Sequence, residues 1–164
     1  MIILGIDPGT IVMGYGVIQS NGENVSLIKY GILKTPARSP MGERLVFLYR
    51  ELSKIIQDYK PEVVAVEEPF VDKNVKSAMA IGKAQAVAIL AAAENNLPCR
   101  EYTPSQVKQS VSNYGAGSKD QIQRMVGWQL GLDVLPEPLD ASDALAVALC
   151  HVQSIRLNEM LHRQ

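Results

Sequence analysis

Residues 1–10 read MIILGIDPGT. The run Met1–Asp7 is short and almost wholly apolar, the pattern of a strand buried on both faces. It ends on a lone carboxylate, Asp7, and Pro8-Gly9-Thr10 follows at once as a turn. Gly14–Gln19 (GYGVIQ) is β-rich, Asn21-Gly22 is a hairpin signal, and Val25–Leu33 (VSLIKYGIL) resumes the strand pattern. Three antiparallel strands in a meander are therefore expected at the N-terminal end.

Beyond them, Leu45, Leu48, Leu52, Ile55, Ile56 and Tyr59 recur at steps of three and four. They form one apolar stripe on a helix over residues 41–59, which Pro61 ends. Glu62–Glu67 (EVVAVE) is a compact apolar strand. Asn74–Asn95 is alanine-rich and strongly helix-forming. Its small side chains would let another helix approach closely, which suits self-association as well as ordinary core packing. Pro98–Tyr102 reads as a further short strand.

Thr103-Pro104-Ser105-Gln106 is a helix start, with Thr as cap and Pro in the first position. Ser118-Lys119-Asp120-Gln121 repeats the capping spacing ahead of Ile122, Met125, Val126 and Leu130. Tyr114–Gly117 (YGAG) is a flexible loop between these helices. A last helix is expected from near Asp140 through DALAVALCHV. The order βββ-α-β-α-β, followed by helices, predicts one α/β domain over residues 1–164. Its mixed sheet has antiparallel and parallel strands, with helices on the faces.

At 164 residues, the chain is long enough to bury a core without disulfides or metal staples. Apolar residues make up 47% and charged residues 20%, as in ordinary globular proteins. Cys99 and Cys150 lie far apart and suit a reduced compartment rather than a disulfide framework. The opening apolar run is too short for a signal peptide and carries no basic segment, so no leader is expected. Lys83 and Glu94 bracket the longest apolar stretch, so no membrane span is expected and the protein reads as cytoplasmic. The net charge of -1 hides an asymmetry. Bases dominate from Lys73 to Arg124, and acids dominate from Asp133 onward.

Several acids stand out by position. Asp7 ends the first strand, Glu67 and Glu68 end EVVAV, and Asp140 and Asp143 open the last helix at i, i+3 on one face. If the first strand and EVVAV are parallel neighbours, their C-terminal ends meet where such sheets carry their sites. Alternation separates Glu67 from Glu68 but leaves open which one faces the site. Carboxylates gathered together stay ionised only when cations balance them. Oxygen ligands without a His/Cys cluster select Mg²⁺ or Mn²⁺. Two such ions about 3.5–4 Å apart would activate a water and stabilise the leaving oxygen of a phosphodiester. Each acid also has a plainer use: Asp7 as a turn residue, Asp140 as an N-cap and Asp143 in a favourable first-turn position.

LGIDPGT, VEEPF, QVKQSV and DASDALAVAL, in this order along the whole chain, resemble the RuvC family of bacterial Holliday junction resolvases. The resemblance implies a ribonuclease H-like fold with a five-stranded mixed sheet flanked by helices. It also implies a homodimer that nicks opposed strands of a four-way DNA junction with Mg²⁺, leaving 5′-phosphates. Asp7, Glu67, Asp140 and Asp143 match the family's metal-holding catalytic acids. Lys108 matches a catalytic or DNA-contacting lysine and Lys119 a DNA-contacting one. Phe70 matches an aromatic that meets bases at the junction centre, and Lys73 and Lys76 would meet phosphates. The helix near residues 74–95 fits the family's dimer interface, and RuvA and RuvB are implied partners. An actin-like ATPase shares the GIDxGT opening but needs two lobes and a second glycine-rich phosphate motif, absent here. A related RNA-directed nuclease of the YqgF group matches VEEPF and the DASDA helix less well.

Overall fold

The computed structural model describes residues 1–70, 74–112 and 118–162. The N-terminal apolar run is strand β1 (Ile2–Asp7), the middle of the sheet. It is followed by β2 (Val12–Ser20), β3 (Val25–Lys34), α1 (Met41–Tyr59), β4 (Val63–Glu67) and α2 (Val75–Glu94). The chain ends with β5 (Cys99–Tyr102), α3 (Pro104–Ser112), α4 (Lys119–Gln129) and α5 (Leu139–His162). The strands form one five-stranded sheet in the order β3-β2-β1-β4-β5. The β1–β2 and β2–β3 pairs are antiparallel, and β4 and β5 add in parallel. This is the mixed sheet expected from the sequence.

Local chemistry accounts for the boundaries. Asn21 Oδ1 accepts from the Asn24 backbone N–H at 2.8 Å, and Gly22 takes φ 97° in the β2–β3 turn. Helix α1 has the expected limits and closes on Lys60 in the left-handed conformation, one residue before Pro61. Asn74 caps α2 through the Ser77 N–H, and Ser118 and Gln121 form a reciprocal capping box on α4. Strand β2 begins at Val12, earlier than expected, because Asp7 to Val12 forms a tight connection and pairing resumes at once: Asp7 faces Gly14 across the ladder. The expected loop Tyr114–Gly117 lies outside the described residues.

Alternation along the strands sends side chains to two cores. Leu4, Ile6, Met13, Val17, Val64 and Val66 pack under α1 and α2. Ile3, Ile18, Val63 and Ala65 pack under α5, which is itself covered by residues of α3 and α4. Between Ala141 and Val152 every α5 residue except Asp143 is buried, as befits a helix enclosed on all sides. Helix α2 is long and apolar enough to cross a membrane by length and composition. Here, however, Ala84, Ala88, Ala91 and Ala92 pack with Leu48, Leu52, Ile55 and Ile56 of α1. Most of its small residues thus serve the chain's own core, and its outward face carries Val75, Met79 and Leu90.

Helix α5 lies directly on the sheet because three glycines make room. A Cβ on Gly14 would overlap the Asp140 carbonyl oxygen, one on Gly5 the Ala144 carbonyl oxygen, and one on Gly16 the Leu145 side chain. The Gly14→Ala variant is therefore expected to lose about 1–3 kcal/mol of stability as α5 is forced off the sheet. Urea unfolding of the variant beside the parent measures this, and an unchanged midpoint would refute the close-packing account.

Candidate active site

The two cores decide which acids meet. On β1, Ile3 faces α5, so Asp7, four residues on, shares that face. On β4, Val63 and Ala65 face α5, so Glu67 does too. The strands run parallel with Gly5 beside Ala65 and Ile6 beside Val66, and the same register carried forward sets Glu67 alongside Asp7. This resolves the question that alternation left open in the sequence. Glu68 falls on the other side, its backbone N–H donating to the Tyr102 carbonyl at 2.8 Å.

Gly14, opposite Asp7 in the ladder, carries the first turn of α5 above it through the Asp140 backbone. That brings Asp140 and Asp143 over the strand ends. The helix starts at Leu139, and the Ala141 and Ser142 N–H groups donate to the Pro138 carbonyl at 3.0 and 3.2 Å. Asp140 is thus a first-turn residue, not the N-cap of its plainer reading. With the capping role gone, its carboxylate is left to face the pocket.

The electrostatics are those of carboxylates placed near one another. Burial first, then the charges of Glu67, Asp143 and Asp140, push Asp7 up to about 8, against a small downward pull from Lys119. Burial and Asp143 push Glu67 up to about 7, opposed by Lys108, by a hydrogen bond with Asp7 and by Lys119. Asp143 is also raised, chiefly by burial, with Lys119 opposing. The two lysines stand at the rim: both are exposed, Lys108 on α3 and Lys119 at the start of α4. Lys119 Nζ is 3.9 Å from Asp143 Oδ2. Among the described residues no three acid, histidine or cysteine side chains close into a ready-made metal cage. The acids offer oxygen donors, with positive charge, among the described residues, only from the rim lysines. Hard divalent cations fit that donor chemistry.

Of the other expected residues, Phe70 and Lys76 follow the end of β4. Phe70 follows β4 and is 69% exposed, so it is not a core residue. Lys76 is exposed in the first turn of α2. Lys73 lies outside the described residues. The positions that the sequence reading passed over are Gly5, Gly14 and Gly16. The signal was present as Gly14 and Gly16 at alternate positions of β2, with Gly5 opposite Gly16 on β1, on the face that α5 needs.

The sequence model described as "Crossover junction endodeoxyribonuclease RuvC" matches residues 3–151. The chain belongs to the RuvC family. A crossover junction endodeoxyribonuclease RuvC from Dehalococcoides mccartyi is 55% identical over 151 residues, covering 92% of each chain. One from Desulfitobacterium hafniense is 50% identical over 157 residues, covering 96% of this chain and 95% of the relative. Among solved structures, Thermus thermophilus RuvC superposes with a TM-score of 0.88 at 34% identity, covering 96% of this chain and 97% of that one. The same protein in complex with Holliday junction substrate gives 0.90 at 34% identity, covering 96% of both chains. The architecture is the ribonuclease H-like α/β fold of the RuvC family.

Linkage gives these acids a measurable consequence. Asp7 rises from an ordinary 3.8 to about 8 and Glu67 from 4.5 to about 7. The unfolded chain therefore releases their protons first as pH rises. Without divalent ions, the stability these groups contribute is fully present below about pH 4. It should decline between that point and about pH 8, where Asp7 ionises in the folded protein. Thermal melting in chelator should accordingly fall across this window, and the fall should be shallower in Asp7→Asn. An equal slope in both would show that Asp7 is not the strained group.

Proposed function

We propose that the chain is a structure-selective endonuclease that resolves four-way DNA junctions in homologous recombination and repair. It hydrolyses one phosphodiester on each of two opposed strands and leaves 5′-phosphates. The observation that carries this reading is the convergence of Asp7, Glu67 and the α5 acids at the C-terminal strand ends, where burial first, and then the neighbouring acids, lift Asp7 to about 8. Family membership and the likeness to a relative in complex with Holliday junction substrate support it. Mg²⁺ is the proposed cofactor, two ions per site with Mn²⁺ able to substitute; such ions supply an activated water and charge relief at the departing 3′ oxygen.

The directions of the residues support a role for each. Asp7 stands between Glu67 on the neighbouring strand and Asp140 and Asp143 above, so it is the acid suited to serve both ions. Glu67 would complete one ligand set, and the α5 pair would complete the other. Lys108 lies close enough to lower Glu67 and would offset charge growing on the phosphate. Phe70, exposed three residues beyond Glu67, would stack on a base unpaired at the junction centre. Lys76 and Lys119, with Lys73 by its place in the sequence, would hold phosphates and so fix register rather than read bases.

Residues 1–164 act as a single domain in this reading, and two copies form a homodimer through the outward face of α2. Val75, Met79 and Leu90 are exposed there, and a two-fold axis would turn two acidic pockets toward one substrate. RuvA and RuvB branch-migration proteins are the proposed partners and the cytoplasm the proposed setting.

The test is an immobile four-way junction beside a linear duplex, with and without Mg²⁺. Symmetric nicks on the junction alone, and only with Mg²⁺, are expected. Cutting of the duplex at an equal rate, or none of the junction, would overturn the reading. Asp7→Asn should retain junction binding and lose cleavage. Lys108→Ala should slow the single-turnover rate by roughly 10²–10³-fold. Phe70→Ala should weaken junction binding by about 1–3 kcal/mol with duplex binding unchanged.

A further inference from the structure

The cations named so far sit on one side of the acids, on α3 and α4, and at the start of α2. The opposite flank is formed by the edge strand β3 and the segment that leads into α1. We infer that Lys34 and Arg38 on this flank form a second phosphate-binding rim, holding the DNA strand as it leaves the acidic pocket on the β3 side. This rests on the junction-nuclease reading above.

Three observations carry it. First, Lys34 lies on the same face of the sheet as the acids. Leu33 and its partner Met13 belong to the core under α1 and α2, so Lys34, paired with Val12, points to the other face with Gly14 and Asp7. Two strand spacings across and two residues along from the Asp7–Gly14–Ile32 row amount to roughly 12 Å. That is a few nucleotides along a backbone from the phosphate being cut. Second, both side chains are free to bind. Each is exposed, and neither forms an ion pair among the described residues. Lys34 is also absent from the cations that lower Asp7, Glu67 or Asp143, so it serves a neighbouring phosphate rather than the reacting one.

Third, the segment is held still and tied to the catalytic turn. Buried Thr35 donates its backbone N–H to the Ile11 carbonyl at 2.9 Å, and its hydroxyl lies 3.0 Å from the Thr10 carbonyl and 3.2 Å from that of Ile11. Arg44 Nε donates to the Ser39 carbonyl at 2.8 Å, and prolines at 36 and 40 stiffen the loop that presents Arg38. Thr10 and Ile11 follow Asp7 by three and four residues, so the lock joins this rim to the active-site turn. A mobile surface loop would gain little from a lysine and an arginine. Held this way, their charges are pre-positioned, and binding orders less chain.

The test measures junction affinity as a function of salt in Asp7→Asn, which binds without cutting. Lys34→Gln and Arg38→Gln are added singly and together. Each is expected to weaken binding several-fold and to reduce the slope of log K against log [salt] by about 1, with an additive loss in the double variant. Lys29→Gln is the control, since Lys29 is exposed on the same strand but alternation turns it to the other face. Slopes that match the parent for both rim variants, or an equal loss from Lys29→Gln, would overturn the inference alone. Failure of the parent itself to bind the junction would overturn both this inference and the function it rests on.

Discussion

The site depends on a contact that contains no functional group. The first turn of α5 rests so closely on β2 that the Asp140 carbonyl occupies the space a Gly14 side chain would need. Gly14 is the residue opposite Asp7 in the antiparallel ladder. One close approach therefore sets the distance between a strand-end carboxylate and the carboxylates of a helix more than a hundred residues later in the chain. Gly5 and Gly16 repeat the approach further along α5, so the helix is seated along a length of sheet rather than at a point. Rotation about the helix axis is then resisted by its buried residues from Ala141 to Val152. That resistance keeps Asp143 aimed at the pocket.

This construction works against stability locally. Protein interiors seldom hold a carboxylate without a partner, yet here several are gathered with only rim lysines in reply. The folded chain meets the repulsion by holding protons: Asp7, at about 8, keeps its proton at neutral pH, and Glu67 accepts a hydrogen bond from it. The surrounding fold carries the strain. β1 is paired on both sides, and Ile3, Leu4 and Ile6 on its two faces are fully buried. The strained group therefore sits at the end of the strand least free to move. An acid cluster on an edge strand would relax by fraying, and its geometry would be lost.

Much of this was legible in the sequence, for reasons that differ by element. The limits of α1 could be read because an apolar stripe and a terminating Pro61 agreed. The capped helices at Asn74 and Ser118 could be located, the latter from its spacing alone. The antiparallel meander followed from the hairpin signal, and the later parallel strands from the alternation of strand and helix. Other features could not be read locally. Glu67 and Glu68 are chemically alike and adjacent, and only the choice of which sheet face α5 covers tells them apart. Asp140 carries a capping residue's chemistry but lies inside the helix, because the chain turns in at Leu139. Lys34 looks like the polar end of a strand until the cores on the two faces are known. In each case the missing information was a long-range packing decision, which periodicity does not encode.

The placement of the lysines is the last part of the design to follow from these constraints. An ammonium buried among the acids would neutralise them and occupy the room that hard cations need. One far away would leave the pocket to repel a polyanion. Lys119 takes the intermediate course: its side chain is 73% exposed and stands 3.9 Å from Asp143, close enough to lower the acids and too exposed to be a strong pair. The same reasoning explains why a chain of net charge -1 can still meet DNA. Affinity for a phosphate backbone depends on where the cations stand rather than on their total. In the proposed function, cations at the rim would attract the strand and leave the carboxylates at the floor available for chemistry.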